Sequence, residues 1–83
     1  MTIQFSTHAL GKMLDRGATQ SEVEAAIRTG SSEPARKGRL MFRKNFVFNG
    51  EWRGKNYAVK QVAPIVTQTP DRIVVVTVLV FYF

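Results

Sequence analysis

Cysteine is absent from the 83 residues. Its absence excludes a disulfide framework and a Cys-ligated zinc site, and it points to a reducing compartment, the cytoplasm. Histidine occurs once, and the six acidic side chains assemble into no familiar metal-ligand spacing. Glu22 and Glu24, two apart on a helix, diverge, so neither a metal nor another cofactor is expected. No glycine-rich phosphate loop is present, since Gly38, Gly50 and Gly54 are spaced as turns. No acid is placed to complete a serine triad with His8. A long hydrophobic run is missing too. The stretch from Ile73 to Phe83 is interrupted by Thr77 and covers about half the ~20 residues of a membrane span. Its β-branched residues read as a buried strand, and Met1-Thr2-Ile3-Gln4-Phe5 lacks the pattern of a signal peptide.

What the chain has is positive charge, unevenly placed. The net charge is +6. Residues 1–35 sum to −1, whereas residues 36–83 sum to +7 with eight of their nine cations between Arg36 and Lys60. Such a block suits a polyanion, because Lys and Arg contacts to phosphate release counterions. A solvated sheet face that keeps a small protein soluble is the plainer alternative. The hydrophobic fraction of 45% and the length fit one domain over residues 1–83 with a thin core.

Local signals give the element order. Ser6 caps a first helix, flanked by Phe5 and Leu10 as a hydrophobic staple, with Leu10, Met13 and Leu14 as its apolar stripe and Gly17 as its stop. Thr19-Gln20-Ser21-Glu22 is a capping box for a second helix, whose buried face is Val23, Ala26 and Ile27 and which ends at Gly30. Ser31 to Lys37 reads as a loop. Strand character begins near Arg39-Leu40-Met41-Phe42 and resumes at Phe46-Val47-Phe48, with Asn49-Gly50 as one turn and Gly54-Lys55-Asn56 as a second. Pro64 is expected to end full pairing of the next strand, and the last strand runs from Ile73 to about Phe81. The fold expected is α+β: two N-terminal helices, an αα-hairpin, packed on a three- to four-stranded antiparallel sheet.

Two constellations carry chemistry. His8, Lys12 and Arg16 recur every four residues and share one helix side. Histidine titrates nearest neutral pH, so this trio fits proton transfer at a phosphodiester, with the cations neutralising developing charge. An ordinary polar helix face accounts for the same residues. The segment from Arg36, Lys37 and Arg39 through Arg43 and Lys44 to Trp52, Arg53, Lys55 and Tyr57 interleaves cations with aromatics. That composition suits RNA, the rings stacking bases while the cations track the backbone, although Trp52 and Tyr57 also suit a sheet core. Lys60 and Thr77 interrupt apolar strands and are candidates to face the helix stripe.

The run His8-Ala9-x-x-x-Met13-x-x-Arg16-Gly17, then Val23 and Ala26-Ile27-x-x-Gly30, then Arg39-x-x-Phe42 and Ile73 to Val78, resembles the small bacterial and phage family catalogued as domain of unknown function 4258. That family is placed with the metal-independent RNase-like toxins of the barnase, EndoU, colicin and RelE group. The resemblance covers nearly the whole chain, and its first block is the most specific. It implies a barnase/RelE-like fold, RNA as target, and an antitoxin or immunity protein as partner. It also implies His8, Arg16 and Thr77 as site residues, with Lys60 as a strand-borne cation. The chain departs from the family pattern at Gly11-Lys12, where Glu-Arg precedes the Met; Lys12 keeps the charge without the bidentate fork.

Three readings follow. The first is a toxin-type endoribonuclease using His8, Lys12, Arg16, Lys60 and Thr77. The second is a non-catalytic RNA-binding module. The third is an interaction protein that pairs, with a partner strand or as a homodimer, through Val78 to Phe83.

Overall fold

The computed structural model describes residues 2–83. A short strand, β1 (Thr2–Phe5), precedes two helices, α1 (Thr7–Arg16) and α2 (Gln20–Thr29). Then come β2 (Ser31–Pro34), a 3-10 turn at Arg36–Gly38, β3 (Leu40–Trp52), β4 (Lys55–Gln68) and β5 (Arg72–Tyr82). The strands form one sheet in the order β1-β5-β4-β3-β2. β1 runs parallel to β5, and the other neighbours are antiparallel. The architecture is α+β, with the helices packed over one face of the sheet.

Two differences from expectation have a common cause. The sheet has five strands where three to four were expected, and a strand stands ahead of both helices. β1 is four residues long, and its partner lies at the far end of the chain. Ile3 and Phe5 pack against the core while Thr2 and Gln4 face outwards, an alternation too short to register alone. β2 was expected to be loop. It is exposed throughout and joins β3 through its backbone, with Pro34 tolerated because the strand is an edge.

The helix starts follow the sequence. The Ser6 hydroxyl accepts from the Ala9 N–H at 3.0 Å. Thr19 and Glu22 exchange side-chain and backbone bonds at 3.1 and 3.0 Å. Gly17 stops α1 in the left-handed region at φ 80°, which glycine adopts without a Cβ penalty. The buried face of α1, however, is Ala9 and Met13 rather than the expected Leu10-Met13-Leu14 stripe. Leu10 is 38% exposed and Leu14 84%. The helix is turned so that small Ala9 meets the sheet closely, which leaves Lys12 and Arg16 half-buried on its flank.

β3 and β4 form a long hairpin closed by Arg53-Gly54, both at positive φ (51° and 85°), a two-residue turn matched to strand twist. The turn expected at Asn49-Gly50 is instead a bulge inside β3: Asn49 takes φ 44° and the register shifts between Val47 and Gly50. β4 also continues through Pro64, which pairs with Val78 of β5. On its other side the ladder to β3 omits Ala63 and Pro64 and resumes at Ile65, opposite Met41. Loss of one N–H interrupts one ladder without ending the strand. Val62, Val66, Val75 and Val78 are fully buried between sheet and helices.

Candidate nucleic-acid interface

The face of the sheet away from the helices is open. Register sets Met41 opposite Ile65 and Ile65 opposite Thr77, so the three stand in one row across β3, β4 and β5. The 3-10 turn overhangs this row. Ala35, Arg36, Lys37 and Arg39 join Met41, Ile65 and Thr77 around a groove of about 510 Å³. Lys37 sits at φ 61°, ψ 33°, a left-handed conformation costing about 1 kcal/mol for a residue with a Cβ. The groove therefore has an apolar floor, one hydroxyl and a rim of three cations.

The α1 stripe lies beside the same strand segment. The Ser6 hydroxyl donates to Val76 O at 3.2 Å, and Arg16 Nη1 donates to Val78 O at 2.8 Å. These carbonyls flank Thr77 on the β5 edge that β1 leaves uncovered. His8 is exposed, with Lys12 half-buried one turn along. Thr77 thus presents one side to the groove while its strand edge carries the helix stripe.

The remaining sequence candidates lie elsewhere or are engaged. Lys60 is 8% exposed and lies under the helices, on the opposite face from the groove. Its ammonium pairs with Glu22 Oε2 at 2.8 Å and donates to Gly17 O at 2.9 Å. It does project from the sheet towards the helices, as expected, with its ammonium engaged by Glu22 and Gly17 O beside the end of the stripe. Arg43 is on the open face, but it is paired with Glu33 at 2.7 Å and donates to Gln61 at 2.9 Å. Lys44 lies over the Phe46 ring, on the helix-bearing face. Trp52, Arg53 and Lys55 are at the hairpin tip. Trp52 stacks on Tyr82 with centroids 5.0 Å apart, and Tyr57 lies 5.6 Å from the same ring. One indole face is therefore taken by the fold.

Burial pushes the Tyr82 phenol above its ordinary 10.0, with Glu22 adding to the rise and Arg53 opposing it. Its hydroxyl donates to Arg16 O at 2.7 Å, which fixes the end of α1 against β5. Met41 and Ile65 were missed as groove residues, because only strand register brings them beside Thr77. Among the described residues no helix is long and apolar enough to cross a membrane. Compared with family models, curated proteins and solved structures, the chain matches none.

Proposed function

We propose that the protein binds single-stranded RNA across the open sheet face and cleaves it beside Thr77, as a toxin-type endoribonuclease. The observation that carries this reading is the convergence of Arg36, Lys37 and Arg39 on the groove that Thr77 lines, on the strand whose Val78 carbonyl accepts from Arg16 of the α1 stripe. Three cations around a partly apolar channel suit a phosphate backbone with its bases laid on the floor. The helix pair on a largely antiparallel sheet also supports the barnase/RelE-like reading, which carries with it an antitoxin or immunity protein as partner and the cytoplasm as location.

In the proposed reaction the ribose 2′-OH attacks the adjacent phosphorus as His8 takes its proton. The bond from phosphorus to the 5′ oxygen then breaks, and that oxygen leaves with a proton from His8 or water. Lys12 and the groove cations neutralise the phosphorane. Arg16 contributes the guanidinium donors that Val78 does not occupy. Purified protein in EDTA is expected to cut RNA, and His8→Ala to lower the rate by about 10²–10⁴-fold, the usual worth of an acid–base group. No cleavage by the wild type, together with harmless expression in cells lacking its partner, would refute the nuclease. His8 has no hydrogen-bond partner to orient it among the described residues, which favours the non-catalytic module as the second reading. In that case the groove still binds RNA, and His8→Ala leaves affinity unchanged.

A further inference from the structure

α1 buries Ala9 and Met13 and turns a second stripe away from the sheet. At about 100° per residue, Thr7, Leu10, Gly11 and Leu14 share that outward side, and all four are exposed. Their spacing is i, i+3, i+4, i+7, the pattern of a face that packs against another element. Leu14 is 84% exposed, so the chain's own fold makes little use of it. A groove of about 490 Å³, lined by Leu10, Met13, Leu14, Ala18, Thr19 and Gln20, continues the apolar surface towards the start of α2. The stripe itself carries no charge, because His8, Lys12 and Arg16 occupy the other side of the helix.

Gly11 is the second anomaly. A mid-helix glycine costs about 0.5–1 kcal/mol relative to alanine, and a Cβ at this position would meet nothing within 4 Å. Nothing in the folded chain requires it. A second backbone approaching closely would.

The symmetry of the stripe indicates which backbone. Reversed about the point between Leu10 and Gly11, the stripe maps onto itself, position 7 onto 14 and position 10 onto 11. An antiparallel copy of α1 therefore sets Leu14 at the height of Thr7, large against small, at both ends of the contact. At the crossing the two glycines let the helix axes close in while the two Leu10 side chains meet. A two-fold interface needs this self-complementarity. Charge agrees with it. Asp15 is exposed and forms no ion pair among the described residues. In the last turn of its own helix its carboxylate opposes the dipole. Reversal carries it to the first turn of the other copy, where the dipole favours an acid, on the flank that bears His8. The β5 edge is less open to a second copy, because Ser6 and Arg16 already donate to Val76 O and Val78 O.

We propose that two copies of the chain associate through α1, antiparallel about Leu10 and Gly11, as a weak symmetric dimer. The groove cations and Thr77 lie on the other face of the sheet, so both grooves stay open and the dimer does not depend on the RNA reading. Two helices of ten residues bury less than the ~1,600 Å² of a standard interface, so a dissociation constant on the order of 10⁻⁴ M is expected.

Sedimentation velocity of the full chain, stripped of nucleic acid, tests this from about 10 μM to about 1 mM, either side of that constant. The wild type is expected to pass from monomer to dimer. Gly11→Ala puts two methyl groups at the crossing and is expected to weaken association by about tenfold or more. The same variant should melt higher as a dilute monomer, since alanine is the better helix former. Leu14→Lys is expected to keep the wild-type melting temperature and to stay monomeric at about 1 mM, because the dimer would bury its charge. Asp15→Asn should weaken association by about two- to fivefold. A wild type that is monomeric throughout would overturn the proposal. So would a dimer whose constant neither Gly11→Ala nor Leu14→Lys changes, which would place the contact on another surface, such as the exposed Phe81 and Phe83.

Discussion

A lysine ammonium can be buried only if its donors find acceptors, and Lys60 shows how a small protein arranges this. Glu22 supplies the counter-charge and Gly17 O a second acceptor, and the ammonium lies 5.6 Å from the Phe48 ring centroid. Glu22 serves twice, because its other oxygen accepts from the Thr19 N–H. One carboxylate therefore caps α2 and fastens it to β4. The side chains are 9% and 20% exposed, so the pair is screened little by water. Lys60→Met removes the ammonium and leaves Glu22 without its partner, and is expected to cost about 2–4 kcal/mol in urea unfolding. Adding Glu22→Gln, which keeps the cap acceptor, is expected to recover part of that loss. RNA affinity should stay at the wild-type level throughout, and a loss of affinity with stability intact would return Lys60 to the interface. From the sequence, a lysine among apolar strand residues was visibly unusual. Its actual role was not legible, because the acceptors come from the capping box and the end of α1, which the strand pattern does not contain.

At the scale of elements, what could be read was what is encoded within a few residues. Ser6, Gly17 and the Thr19–Glu22 box act on backbone groups three or four positions away, so they mark helix ends in any fold. β1 and β2 depend on distant partners and carry almost no pattern of their own. The α1 face was misassigned because periodicity alone favours large apolar residues, whereas closeness to the sheet selected Ala9. Close approach also governs Gly30, which joins α2 to β2. A Cβ there would lie 2.5 Å from both Ala26 O and Arg43 O, backbone atoms held by the helix and by β3. Gly30→Ala is expected to destabilise by about 3 kcal/mol, at the upper end of overpacking costs. Gly11, by contrast, has nothing within 4 Å of its Cβ position and sits mid-helix. Gly11→Ala is expected to stabilise by about 0.5–1 kcal/mol. Thermal melts of the two variants should shift in opposite directions, and a destabilised Gly11→Ala would show that α1 packs differently.

For the molecule as a whole, composition located the positive charge in the C-terminal half but could not say which surface receives it. Folding divides the basic block. Arg36, Lys37 and Arg39 gather at the groove, Arg43 is paired with Glu33, Lys44 lies on the other face of the sheet, and Lys55 sits at the tip of a body 41 Å long. Only part of the net +6 can therefore contact one strand of RNA at a time. Each phosphate neutralised on a single strand contributes about −0.7 to the slope of log affinity against log salt. Three groove cations with Lys12 predict a slope of about −2 to −3, well short of what all twelve cations would give. Replacing Arg36, Lys37 and Arg39 together with glutamine should bring the slope to between about −1 and 0 and weaken binding to every sequence alike, since phosphate contacts carry no sequence information. Lys44→Gln and Lys55→Gln should leave slope and affinity where they were. If those two reduce the slope as much as the groove residues do, RNA lies along the hairpin rather than across the open face.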